Sequence, residues 1–122
     1  LCNVVLGAST ENQAMYNQRF PVLAHLRSDY PGIPIWVNIG PALGPVTIRE
    51  FTAKPDWVTL EGETGANFRH MQLGWAESLL AECREFRIPF YMKQVAARTP
   101  EMGKDFIPPH LQVRQYPWKC AA

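Results

Sequence analysis

Two carboxylates, Glu61 and Glu63, flank Gly62, and a lysine, Lys93, follows the apolar run Phe90-Tyr91-Met92. Paired acids in one loop can bind a metal, serve as acid and base, or grip an amine. The bland alternative leaves both acids solvated, with one capping the loop by hydrogen bonds. Alternation along an extended chain would send both side chains to the same side. A lysine at a buried strand end calls for a carboxylate partner, because a lone buried charge is costly. Glu61 and Glu63 are the natural partners. The pairing expected across adjacent strand ends is Glu63 with Lys93. Glu63, Lys93 and Glu61 are therefore the candidates for chemistry, and a purely structural salt bridge is the competing role for Lys93.

A second group could hold a ligand without reacting with it: Glu11, Asn12, Asn38, Gly62, Gly65 and Gln94. The amides can orient polar groups, and the glycines let backbone approach a ligand or adopt positive φ. None of the glycines sits in a phosphate loop or a GxGxxG pattern. There is no Gly-x-Ser-x-Gly elbow and no HExxH, so hydrolase and zincin readings have no motif behind them. Cys2, Cys83 and Cys120 lack zinc-ribbon and thioredoxin spacing, and no metal site is expected. His70 beside Arg69 could serve as ligand or base, although a hydrogen bond near the helix start suits it better. His25 reads as surface or packing.

These residues need a frame. Asn3–Ala8 is an apolar, valine-bearing run and reads as a first strand. Glu11–Phe20 is helix-like, with Ser9 or Thr10 as cap. Pro21 should interrupt it and open a short second helix to Arg27. Ile35–Ile39 reads as the second strand, with Trp36 in a buried position. A stiff loop, Gly40–Pro45, follows, and Val46–Ile48 suggests a short extended piece. Trp57–Leu60 is the third strand. Leu73–Phe86 is the clearest helix, with Trp75, Ala76, Leu79, Leu80 and Cys83 facing inward. Pro89–Met92 is the fourth strand. From Ala96 the chain turns polar and proline-rich, and 96–122 is expected to be an irregular tail.

Strands alternating with helices imply a parallel sheet with right-handed crossovers. The expected fold is thus a single α/β domain over 1–122, a partial β/α barrel of about four mainly parallel strands. Each strand ends in polar or small residues: Ser9 to Asn12, Asn38 and Gly40, Glu61 to Glu63, Lys93 and Gln94. In parallel α/β folds that C-terminal edge carries the site.

Composition bounds the function. The 122 residues are 47% hydrophobic and 19% charged, which suits a globular domain. A formal net charge of +1 argues against a strongly basic nucleic-acid surface. No stretch approaches the roughly 20 apolar residues of a membrane span. An odd cysteine count points to a reducing, cytoplasmic setting. A Cys2–Cys120 disulfide would require a secreted protein.

Four stretches resemble a phage-associated family of unknown function, gene product thirty-seven / sixty-eight. Asn3-Val4-Val5-Leu6-Gly7-Ala8-Ser9, with Thr10-Glu11-Asn12-Gln13, resembles its Asn-Val-Trp-Leu-Gly-Val-Ser-Val-Glu-Asn-Gln. Leu43-Gly44-Pro45-Val46 resembles its Leu-Leu-Gly-Pro-Val. Asp56-Trp57-Val58 through Gly62-Glu63-Thr64-Gly65 resembles its Asp-Trp-Val-Ile-Val-Gly-Gly-Glu-Ser-Gly. Pro89-Phe90-Tyr91-Met92-Lys93-Gln94 resembles its Pro-Phe-Phe-Phe-Lys-Gln. The resemblance covers roughly residues 2–95. It implies a radical S-adenosylmethionine-like barrel, of which this chain is the C-terminal part. It carries over Glu11, Asn12, Gln13, Gly62, Glu63, Gly65, Lys93 and Gln94.

The cysteine group implied for an iron–sulfur cluster is missing here. S-adenosylmethionine and a cluster would therefore belong only to a longer intact protein. Three positions depart from the pattern: Gly40 replaces a glutamate, Glu61 replaces a glycine, and Val95 replaces a tryptophan. One acid is lost and another gained on an adjacent strand. Two other readings stand beside the enzyme: a non-enzymatic binding or accessory module, and a nucleic-acid-associated phage protein. Apolar strands with unclosed edges also predict a homodimer, or docking onto a missing N-terminal half.

Overall fold

The computed structural model describes residues 4–117. Cys2 and Cys120, and with them any bond between the two, lie outside the described residues. Strands β1 (Leu6–Ser9), β2 (Ile35–Ile39), β3 (Trp57–Glu61) and β4 (Phe90–Gln94) form one sheet in the order β1-β2-β3-β4. All three pairings are parallel. Helices α1 (Gln13–Asp29) and α2 (Leu73–Glu85) supply the crossovers after β1 and β3. Residues 40–56 join β2 to β3 without a helix. The sheet is open, as in part of a β/α barrel.

The register sorts side chains into two faces. On one, Ala8, Val37, Val58 and Phe90 lie in a row, and Ile39, Leu60 and Met92 form the next. Val37, Val58, Phe90, Ile39, Leu60 and Met92 are all buried. They share a core with Tyr16, Phe20 and Leu23 of α1 and with Ala76, Leu79, Leu80 and Cys83 of α2. The two long helices thus cover this face. The residues between, Gly7, Ser9, Trp36, Asn38, Trp57, Thr59, Tyr91 and Lys93, fall on the other face by alternation. Trp36 therefore points away from the core, contrary to the expectation from its apolar strand. A Cβ on Gly7 would come within 2.8 Å of the Trp36 ring, so the edge strand stays bare to make room for the indole.

Helix α1 also departs from expectation. It runs unbroken through Pro21, and its cap is Asn12, whose Oδ1 accepts from Met15 N at 3.0 Å. Thr10 is fully buried and its backbone N–H is bonded to Asn38 O, so it remains with the strand. Pro21 is exposed, while Tyr16, Phe20 and Leu23 recur at helical spacing and bury one stripe. That burial outweighs the backbone bond a proline forfeits.

Val46–Ile48 is not a strand. Val46 and Ile48 are buried, and Thr47 is held by its backbone: Gln13 Oε1 accepts from its N–H and Gln13 Nε2 donates to its carbonyl. Glu82 Oε1 accepts from Thr47 Oγ1 and Ile48 N, which ties the segment to α2.

Nor is the tail irregular throughout. Helix α3 (Pro100–Asp105) and a 3-10 turn (Pro109–Leu111) lie within it. Thr99 caps α3 by accepting from Met102 N, and Pro100 and Glu101 occupy its first turn. These are ordinary start signals. Beyond, Val113 O accepts from Met92 N and Gln115 N donates to Phe90 O. The tail so closes the outer edge of β4, with Tyr91 bridged antiparallel to Arg114. β1 pairs with β2 alone among the described strands.

Candidate functional site

The open face carries a connected polar chain. Trp36 Nε1 donates to Thr59 Oγ1 at 2.8 Å, and Thr59 Oγ1 donates to Asn38 Oδ1 at 2.7 Å. Asn38 Nδ2 in turn reaches Glu61 Oε1 at 3.3 Å and Ser9 Oγ at 3.5 Å. Lys93 Nζ closes the series on Glu61 Oε2 at 2.7 Å. The order of these groups follows the strand register, Ser9 beside Asn38 beside Thr59.

A register shift places Lys93. Leu60 pairs with Met92, but Glu61 pairs with Gln94, which leaves Lys93 as the extra residue of β4. Such irregularities re-aim a side chain at the end of a ladder. Lys93 remains 54% exposed and Glu61 22%. The ammonium is thus tethered at one of its three donors while facing solvent.

Aromatic rings form the floor beside this chain. Trp36 and Trp57 stand with centroids 5.1 Å apart at 30°, and Tyr91 meets Trp57 edge-on at 6.3 Å. From the tail, Tyr116 packs on Trp57 at 5.6 Å and on Tyr91 at 5.5 Å, and Trp57 Nε1 donates to Gln115 O. Together with Asn38, Thr59, Glu61 and Lys93 these rings enclose a cavity of about 240 Å³. A second cavity, of about 430 Å³, opens at the strand ends and shares Glu61 and Lys93 as a common wall. Its other walls include Pro41, Gly62, Glu63, Thr64, Gln94 and Lys104. A hollow of about 420 Å³ at Cys83, Arg84, Arg87 and Ile88 lies beside the end of α2 and the start of β4 and shares Tyr116 with the aromatic cavity.

The expected pairing of Glu63 with Lys93 is not what the structure shows. Arg69 takes Glu63: Nε donates to Oε1 at 3.0 Å, Nη2 to Oε2 at 2.6 Å, and the Arg69 backbone N–H to Oε1 at 2.8 Å. This grip holds the Glu63 carboxyl down at about 2, chiefly through the guanidinium bonds. The reason is local. The strand ends at Glu61, so Glu63 belongs to a loop that folds back onto Arg69 six residues later. Lys93 is left to Glu61.

The remaining candidates divide. Asn38 joins Glu61 and Lys93 in the aromatic cavity, while Glu63, Gly62 and Gln94 line the adjoining one. Gly62 is required by packing, since a Cβ there would strike the backbone of Val95 and Ala96. Gln94 is buried and its Nε2 donates to Gly62 O at 3.2 Å. Gly65 has φ 137°, a conformation that favours glycine, and its N–H donates to Ala97 O. Asn12 is occupied as a helix cap, and Glu11 faces Arg19 at 3.5 Å, away from both cavities. His70 stands edge-on to Phe68, and His25 faces Asp29 on the surface.

Gly40 leaves room for the Glu61 side chain. A Cβ on Gly40 would run into Glu61 Cγ and come within 2.8 Å of Asn38 Nδ2. The acid on β3 therefore occupies the room that a side chain at position 40 would need. Sequence reasoning missed Trp36, Trp57, Thr59, Tyr91, Tyr116 and Lys104. The period-two spacing of Trp36 with Asn38, and of Trp57, Thr59 and Glu61, was the available signal.

The described residues do not fit an iron–sulfur cluster. Cys83 is the cysteine among the described residues; it is buried on the helix-covered face and its thiol is pushed up to about 12 by burial. Clusters need thiolates. Among the described residues no group of three or more His, Cys, Asp or Glu is placed to hold a metal ion. No helix among them is long and apolar enough to cross a membrane.

One protein family, described as protein of unknown function DUF5131, matches residues 1–115. No curated protein and no solved structure matches the chain.

Proposed function

We propose a function from the premise that the chain belongs to the DUF5131 family of unknown function: its open sheet face is the ligand-holding wall of a radical S-adenosylmethionine-like partial barrel of phage ancestry. The observation that supports this reading is the asymmetry of the sheet. One face is apolar and covered by α1 and α2; the other carries a hydrogen-bonded chain from Trp36 to Lys93, set in aromatic rings. A face kept for packing would not be built from an ion pair and an amide. In a closed barrel the helix-free face is the interior.

Asn38 and Lys93 orient the ligand in this reading, and Glu61 fixes both of them. No step is assigned to a cluster, because the described residues offer no thiolate set for one. Any one-electron chemistry belongs to a longer protein, and this chain's share is to bind and orient. Nuclear magnetic resonance of the ¹⁵N-labelled chain against a library of small polar aromatic compounds tests the reading. Indole signals of Trp36 and Trp57 should move together with the Lys93 amide, while that of Trp75, on α2, stays still. Shifts confined to Trp75, or none at all, would reject it.

A further inference from the structure

We propose that the hollow at the end of α2 is a second binding site, which takes the phosphate group of a small phosphorylated molecule between Arg84 and Arg87. It lies at the opposite end of β4 from Lys93, and it does not depend on the ligand-holding reading of the open face.

Charge is the first support. Arg84 and Arg87 both line this hollow of about 420 Å³, and no Asp or Glu does. Both residues are exposed, and neither guanidinium makes an ion pair or a hydrogen bond among the described residues. The acids nearest in sequence are taken elsewhere: Glu82 by Thr47 and Ile48, and Glu85 by Arg49. Nor are the arginines spent on the helix end. The carbonyls of Glu82, Cys83 and Arg84 accept from the backbone N–H groups of Phe86, Ile88 and Arg87. The helix terminus itself contributes roughly half a negative charge, which two guanidiniums outweigh.

Backbone conformation is the second support. Arg87 has φ 57°, in the left-handed region, and is the one non-glycine residue there among the described residues. Helices commonly end on such a residue, and glycine is its usual identity. An arginine in that place carries backbone strain, and its guanidinium returns no bond to the fold among the described residues. It is left for a group from outside the chain.

The chemistry of the hollow names the group. Two guanidinium forks suit a phosphate monoester, whose three terminal oxygens can accept from both. A carboxylate has two oxygens, which a single fork fills. Gln115 Oε1 accepts from Phe90 N, so its Nε2 is left to donate to the same anion. Ile88, Pro89 and Tyr116 supply apolar wall for the rest of the molecule. The volume suits a small molecule. A net charge of +1 does not supply the broad basic surface that a nucleic acid needs.

Isothermal titration of the purified chain at low salt tests this with three probes: phenyl phosphate, benzoate and a ten-nucleotide single-stranded DNA. Phenyl phosphate should bind about tenfold or more tighter than benzoate. Arg87→Gly removes the guanidinium and suits the left-handed backbone. It should weaken phenyl phosphate about tenfold or more without lowering the Tm. Arg84→Gln, at an exposed position on α2, should weaken it likewise, and it decides the matter if Arg87→Gly fails to fold. Undiminished binding in either folded variant would overturn the inference. So would equal binding of benzoate, no binding of phenyl phosphate, or binding of the DNA alone.

Discussion

Arg69 grips Glu63 with two guanidinium bonds and one backbone bond. The carboxyl is held at about 2, below its ordinary 4.5, so the folded state favours the ionised form. The stabilising contribution is therefore complete above pH 4.5 and is lost as pH falls towards 2. Thermal melts of Glu63→Gln should show a slightly lower Tm than the parent at pH 7, because the pair is exposed. The gap should close between pH 4.5 and 2. A gap of constant size across that range would contradict the account. At this scale the sequence was half legible. Glu61, Lys93 and Asn38 stand out by type and position, and the structure brings them together. Which acid meets Lys93 was not legible, because it depends on where β3 ends and on a register shift in β4. That Glu61 fills the room beside Gly40 is a matter of packing, which no spacing along the chain reveals.

Among the elements, the strands and α2 were readable from apolar runs and helical spacing, within one to three residues at their ends. α1 was not. Its proline reads locally as a break, yet Tyr16 and Phe20, stacked at 5.0 Å before Pro21, and Leu23 after it are buried in the core and fix the helix on both sides. Tertiary burial overrode a local rule. Replacing this exposed proline should then stabilise the protein. Pro21→Ala restores a backbone donor within α1, and an interior proline costs up to about 3 kcal/mol against alanine. Urea unfolding should show a higher midpoint with an unchanged slope. A lower midpoint would mean that Pro21 is needed where it is. The tail was misread for a different reason. Thr99-Pro100-Glu101 is a complete helix start, but the surrounding prolines and polar residues masked it.

The whole molecule is a sheet with unequal faces and unequal edges. The tail closes the β4 edge through Met92, Phe90 and Tyr91, and β1 pairs on one side only among the described residues. An unpaired strand edge invites another strand. We expect two copies to join at β1 about a two-fold axis, so that sedimentation equilibrium at low micromolar concentration gives twice 13.9 kDa. A single species near 13.9 kDa would show that β1 stays unpaired. The division into a covered face and an open face was only partly legible. Consecutive apolar residues along the strands suggested cover on both sides, whereas Trp36, Trp57 and Tyr91 are spent on the open side. The central claim is that this side holds a ligand. Crystals of the chain soaked with small polar aromatic fragments test it most directly. The account predicts electron density between Trp36, Trp57 and Tyr91, with a polar atom in hydrogen-bond reach of Asn38 or Lys93. Density gathered over the helices α1 and α2, with that cavity empty, would contradict it.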